Sequence, residues 1–280
     1  MTNDKNLKIA RASTVDAYSA KGSTVYDDPM NKNSLYGQIT MEFLDSLEFL
    51  PTEKTILDLG CGTGFIFEYL YSIFQNMNIQ GIGVEPARGM LDMAIEKHKN
   101  EKKFSYHEGS FENIPLEDGS VDKIVSTLAL HWVKSLPVAA QEMRRALRDK
   151  GNLNILMIAK DDGEKFKKGI VNALRKHLTF AQIMDTAVLV QRASPKQVKE
   201  AFAPSFEGFD IQVEKFTKIV YGSFEEHMKW WKARSSPVIA EVKNKDTFMK
   251  DLQVEMEKIR INEGIPFDAA YIWIKIRSNK

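Results

Sequence analysis

Cysteine is almost absent: Cys61 is the single thiol in 280 residues. No intrachain disulfide can form and no pair of thiolates can hold a metal, so a reducing, cytoplasmic setting is expected. Histidine is scarce as well, five residues in all, and none has the close spacing of a metal-ligand motif. No metal site is expected. Long apolar runs are missing: nothing approaches the roughly 18–20 residues of a membrane span, and Met1 to Arg11 lacks the apolar core of a signal peptide. Net charge is nearly missing too, since 39 Lys and Arg face 38 Asp and Glu for a total of +1. That balance argues against a protein built to neutralise duplex nucleic acid. What remains, 43% hydrophobic and 28% charged residues, is the composition of a globular protein with ample material for a buried core.

The chain divides by periodicity. Residues 1–50 read as an N-terminal helical arm or lid: a polar, turn-rich start carrying Tyr18 and Tyr26, then apolar positions at helical spacing from Ser34 to Phe49, closed by Pro51. Residues 51–160 alternate short apolar runs with helical patterns. Strands are expected at Thr55–Leu59, Ile79–Val84, Phe104–Glu108, Val121–Thr127 and Asn152–Ile158, and helices at Phe65–Phe74, Gly89–His98 and Leu136–Leu147. Such alternation predicts βαβ units and a Rossmann-like, mostly parallel sheet with helices on both faces. Residues 161–208 read as a helical cap over a substrate. Between Lys160 and Ala203, nine Lys and Arg stand against five Asp and Glu. Residues 209–280 add an alternating strand near Ile211–Val220, helices at Phe224–Ala233 and Phe248–Ile261, and a last strand at Ala270–Ile276, which completes a seven-stranded sheet.

The chemistry concentrates where the first strand ends. Asp58-Leu59-Gly60-Cys61-Gly62-Thr63-Gly64 places an acid before three glycines at the start of a helix. Glycines let the backbone approach a ligand closely, and the helix start offers unpaired N–H groups. A dinucleotide fingerprint would need a third glycine where Phe65 stands, so an NAD-dependent oxidoreductase is the weaker reading. Glu85 closes the second strand, where a carboxylate can accept both ribose hydroxyls. Two carboxylates, a glycine turn and no phosphate-binding lysine describe a nucleoside with a cationic tail, as in S-adenosylmethionine.

On the strings L-D-L-G-C-G-T-G and G-V-E-P, residues 55–158 resemble the class I S-adenosylmethionine-dependent methyltransferases. The resemblance implies that Asp58, Gly60, Gly62 and Gly64 line the methionine part of the cofactor. It implies that Glu85 holds the ribose and that Pro86 and Met90 border the adenine. Gly109-Ser110-Phe111-Glu112 is similar to the family segment at the adenine edge, with Ser110 where an acid is usual. Ser110 and the N–H of Phe111 are the expected contacts there, while Glu112 is either a further contact or a solvated charge. Cys61 reads as a small filler within the cofactor turn, and Tyr18 and Tyr26 as a lid over it.

Ser126-Thr127-Leu128-Ala129-Leu130-His131-Trp132-Val133, after the fourth strand, faces the methyl group in this family, with Thr127 beside the cofactor. L-H-W-V is similar to the strings of small-molecule carboxyl methyltransferases acting on trans-aconitate, juvenile hormone acid or malonyl-carrier protein. The resemblance gives Trp132 as the residue that orients an acceptor carboxylate, with Gln38 as its partner; the alternative for Trp132 is plain core packing. If the acceptor is a phenol, an amine or an acidic carbon, His131 is the candidate general base. The expected function is S-adenosylmethionine-dependent methylation of a small organic acceptor, a carboxylate oxygen first. The acceptor is expected to be anionic or borne on an acyl-carrier protein, with neither nucleic acid nor membrane as a partner.

Overall fold

A computed structural model describes residues 34–187, 192–234 and 241–279; Tyr18 and Tyr26 lie outside them. Seven strands form one sheet: β1 (Thr55–Leu59), β2 (Gln80–Glu85), β3 (Phe104–Glu108), β4 (Val121–Thr127), β5 (Leu147–Ile158), β6 (Phe209–Gly222) and β7 (Ile265–Ser278). Their order is β3-β2-β1-β4-β5-β7-β6, parallel except for β7, which runs antiparallel to both neighbours. The parallel strands are near-continuous apolar runs because helices cover both faces. Ile56, Leu57, Leu59, Ile124 and Val125 are completely buried. Strand order reverses between β1 and β4, and ligands of such sheets bind beyond the carboxyl ends of the strands at that point.

On one face pack α1 (Leu35–Asp45), α2 (Phe65–Tyr69), α3 (Tyr71–Asn76), α6 (Glu164–Leu174), α9 (Phe224–Arg234) and α10 (Lys245–Glu257). On the other pack α5 (Leu136–Ala146) and α8 (Pro195–Phe202), while α4 (Arg88–Lys97) lies against β2 and β3. The α7 helix (Phe180–Ala187) follows α6. Ser34 caps α1 by accepting the N–H of Gly37, and Tyr36, Ile39, Thr40, Phe43 and Leu44 form its buried face.

Three local differences from the sequence reading have physical causes. The helix expected over Phe65–Phe74 is broken at Leu70, whose φ of −93° and ψ of 15° leave the helical basin. Asp149-Lys150-Gly151 is not a free turn but part of β5. Pairing jumps there from Val121 opposite Leu147 to Lys123 opposite Asn152, and the extra residues bulge from the ladder. The basic stretch from Lys160 to Ala203 also divides: α6 packs on α10 and β7, whereas α8 packs on α5 and β6 across the sheet. The stretch therefore does not form one continuous cap: α8 lies in the layer across the sheet from α6.

The end of the sheet away from the ligand side is fastened by a buried ion pair. Lys123, 1% exposed, reaches Glu53 at 2.8 Å and the carbonyl of Glu48, and lies 4.5 Å from the Phe49 ring. Glu53 also accepts from Asn152 and from the N–H of Leu50. Such a pair is sustained by its extra hydrogen bonds.

Candidate active site

The glycine turn is shaped by its neighbours. Gly60, Gly62 and Gly64 all have positive φ. At Gly60 the φ of +76° is joined by crowding, because an added Cβ would lie 2.5 Å from the Cβ of Ala129 and 3.3 Å from the Phe111 ring. The N–H groups of Gly60 and Cys61 both donate to the Val84 carbonyl, at 2.8 and 3.1 Å, so the turn is pinned to β2. Cys61 packs beneath Gly83, and burial followed by the charges of Asp58 and Glu85 pushes its thiol well above the usual range. It is a filler and not a nucleophile.

The two carboxylates differ in how they are satisfied. Glu85 accepts the N–H of Gly62 at 3.0 Å and of Ala87 at 2.9 Å, one on each oxygen, which fixes it between the turn and α4. Burial raises its carboxyl, and these two bonds pull it back. Asp58 is 1% exposed, and among the described residues neither of its oxygens has a hydrogen-bond partner. Burial, and then the like charge of Glu85, hold its carboxyl well above the usual carboxylate range.

Around this pair the fold adds two residues that local sequence did not single out, Tyr106 and His98. Tyr106 on β3 reaches His98 at 2.7 Å and stacks on it beneath Gly64, and its ring fills the space that Gly83 leaves open. Phe111 is buried against Gly60, and Met90 is buried beside Gly62. Pro86 is exposed. The Ser110 hydroxyl accepts the N–H of Glu112 at 3.3 Å. Glu112 is no free surface charge: it accepts the N–H groups of Lys134 and Ser135, tying the adenine-edge segment to the start of α5.

The other side of the crevice is built on the end of β4. Thr127 is its last residue, and Leu128 has a φ of +53°, a left-handed conformation that a leucine adopts only under constraint. That kink leads into a single 3-10 turn, Leu130–Trp132, which buries His131 to 3% exposure and leaves Trp132 partly exposed, the rings 5.3 Å apart. Gln38 stays untested as a partner of Trp132. It is exposed on α1, about 200° around the helix from Tyr36. Tyr36, buried on α1 together with Thr40, donates to Asp162 at 2.6 Å just beyond β5. Asp162 also accepts from the N–H of Ala270 at 3.1 Å and pairs with Arg192 at 3.2 Å. Replacing Tyr36 by Phe removes a charge-assisted bond from a buried acid and is expected to cost about 1.5 kcal/mol of stability in denaturant unfolding. An unchanged midpoint would mean that Ala270 and Arg192 satisfy Asp162 alone.

Comparison with known proteins decides between a glycine turn of no fixed use and a cofactor turn. Residues 57–155 match the family described as the methyltransferase domain. Malonyl-[acyl-carrier protein] O-methyltransferase of Pectobacterium atrosepticum is 36% identical over 104 residues, 37% of this chain and 38% of that one. The ubiquinone/menaquinone biosynthesis C-methyltransferase UbiE of Campylobacter jejuni is 28% identical over 180 residues, 63% of this chain and 73% of that one. The YcgJ protein of Bacillus subtilis shares the fold at a TM-score of 0.59 and 17% identity, over 88% of this chain and 98% of its own. Residues 57–155 are a class I methyltransferase domain. The chain spans less than half the length of the malonyl-[acyl-carrier protein] O-methyltransferases it matches.

The cofactor of a class I methyltransferase domain is S-adenosylmethionine, and the residues present fit it. An orphaned carboxylate in a water-excluded position calls for a cation, and Asp58 supplies it at the glycine turn. Glu85 keeps a free lone pair on each oxygen, where ribose hydroxyls would fit. The buried Met90 and Phe111 side chains would give a base apolar walls. No group of His, Cys, Asp and Glu among the described residues can hold a metal ion, and none of the described helices is long and apolar enough to cross a membrane.

Proposed function

We propose that this protein transfers the methyl group of S-adenosylmethionine to a carboxylate oxygen of a small organic acid, free or borne as a thioester on a carrier protein. When bound, the cofactor supplies a methyl group already activated by a sulfonium. The protein has to hold the donor through Asp58 and Glu85, position the acceptor and keep water out. The observation that carries the choice of acceptor is the turn after β4. It presents Trp132, whose indole N–H donates but has no basicity, and withdraws His131 into the protein. A carboxylate is already ionised and needs orientation only, whereas a phenol, amine or carbon acceptor needs a base with access to it.

Calorimetric titration is expected to show micromolar S-adenosylmethionine binding, about −8 kcal/mol, and no binding of NADH. A labelled-methyl screen over carboxylic acids, malonyl thioesters, phenols, amines and quinols is expected to leave the label as a base-labile methyl ester. Label on a ring carbon would overturn this reading in favour of the kind of chemistry named for the Campylobacter relative. Trp132→Ala is expected to lower kcat at least tenfold with cofactor affinity nearly unchanged; equal losses in both would make Trp132 a packing residue.

A further inference from the structure

The positive charges between Lys160 and Ala203 are unevenly compensated. Lys168 pairs with Glu164 and Lys176 with Asp251, both at 2.8 Å, Lys196 with Glu200 at 3.8 Å, and Arg192 with Asp162. Lys160, Lys165, Lys167, Arg175 and Lys199 have no ion-pair partner among the described residues; Lys199 stands apart on α8, and the other four stand on α6 or beside its ends. Three of these four line a groove of about 330 Å³ together with Lys168, its partner Glu164, Val171 and Asn172. Arg175 also borders a second groove of about 300 Å³, which continues past Lys176 to Lys243. The track thus begins two residues after β5, at the ligand side of the sheet, and follows an 11-residue helix away from it. That helix alone is about 16 Å long.

A small free acid needs charge inside the crevice and nothing more. An exposed basic track that starts at the crevice and leads outward suits a larger acidic body that stays outside while an arm reaches in. Lys167 is half-buried, and burial together with neighbouring Arg192 lowers its ammonium to about 8, so an approaching anion would relieve it. We propose that the outer face of α6 is the docking surface for an acidic carrier protein that presents the acceptor on a flexible arm. The proposal rests on the carboxylate reading above. Long-range attraction between the track and an acidic partner would act on encounter and on KM more than on the chemical step.

The test uses the full chain and the Lys165→Glu/Arg175→Glu double variant, which touches neither the cofactor turn nor Trp132. Rates are measured with malonyl-acyl-carrier protein and with the malonyl thioester of N-acetylcysteamine, and carrier binding is followed separately by fluorescence anisotropy. The wild-type protein is expected to show a KM for the carrier form at least tenfold lower than for the small thioester, rising with added salt. In the double variant the carrier KM and Kd are expected to rise about tenfold, with unchanged kcat, small-thioester kinetics, cofactor affinity and unfolding midpoint. Equal KM values for the two wild-type substrates, or a variant that binds the carrier as well as wild type, would overturn the docking surface. So would a preference of this face for single-stranded RNA over the carrier. If neither malonyl form is methylated, malonyl is excluded as the acceptor, the labelled-methyl screen judges the carboxylate reading separately, and the anisotropy series still decides whether an acidic carrier binds α6.

Discussion

In Asp58→Asn, S-adenosylmethionine affinity is expected to fall about thirtyfold, while the ligand-free fold ceases to lose one share of its stability as the pH rises. Both effects follow from a carboxylate whose two oxygens are buried and unpartnered. Toward the cofactor, the ionised group is the acceptor of charge-assisted bonds, and losing one costs about 2 kcal/mol, which is some thirtyfold in affinity. Toward the empty fold it is a burden. Burial first, then Glu85, holds the folded-state carboxyl well above its ordinary value of 3.8. The folded protein then binds more protons than the unfolded chain at pH values above 3.8, so this group's contribution to stability declines as the pH rises toward the raised folded value. The asparagine side chain of the variant has no such proton to lose, and the stability difference between variant and wild type is expected to grow across that window in favour of the variant. A cationic ligand reverses the balance by stabilising the ionised form. Binding should therefore release protons, seen as a buffer-dependent enthalpy, and wild-type affinity should weaken as the pH falls through the raised range. Wild-type affinity in the variant, or the same pH slope of stability in both proteins, would show that Asp58 does not face the cofactor.

The parts of this site that were legible in the sequence are those fixed by neighbours in the chain. An apolar run, an acid, three glycines and a helical pattern follow one another without interruption, and β1, β4 and the glycine turn formed where that order predicts. Glu85 was legible for the same reason, as the last residue of a strand. Tyr106 and His98 were not, because what brings them under the turn is the pairing of β3 with β2, opposite a glycine whose missing side chain makes the room. The Tyr36–Asp162 bond joins residues 126 positions apart and leaves no local trace. That α1 turns Tyr36 inward and Gln38 outward was open to a finer reading, since Tyr36 shares its helical phase with Ile39, Thr40 and Phe43 and Gln38 does not. Asp149-Lys150-Gly151 has the composition of a turn and of a bulge alike, and only the partner strand decides between them.

Gly60→Ala is expected to injure cofactor binding and turnover together, unlike Trp132→Ala. Two costs add at this position. The φ of +76° strains any residue with a Cβ by about 1–2 kcal/mol, and the new methyl would stand 2.5 Å from the Cβ of Ala129, an overpacking of about 1–3 kcal/mol. Neither obstacle is a flexible side-chain end, so the backbone has to move. On one side lies the turn, pinned to β2 by the Gly60 and Cys61 N–H groups on the Val84 carbonyl and holding Glu85 through the Gly62 N–H. On the other lies Ala129, between the strained Leu128 and the His131–Trp132 turn that fronts the acceptor. Displacing either one separates donor from acceptor. The expected result is about 3 kcal/mol less stability in denaturant unfolding, with a loss of cofactor affinity and of kcat beyond what either stability or binding alone would give. Gly119→Ala supplies the control, since its φ is +58° but nothing lies within 4 Å of the added methyl, leaving the strain alone at about 1 kcal/mol. If Gly60→Ala costs no more than Gly119→Ala and binds cofactor normally, the glycine turn yields without moving Ala129, and the two halves of the site are mechanically independent.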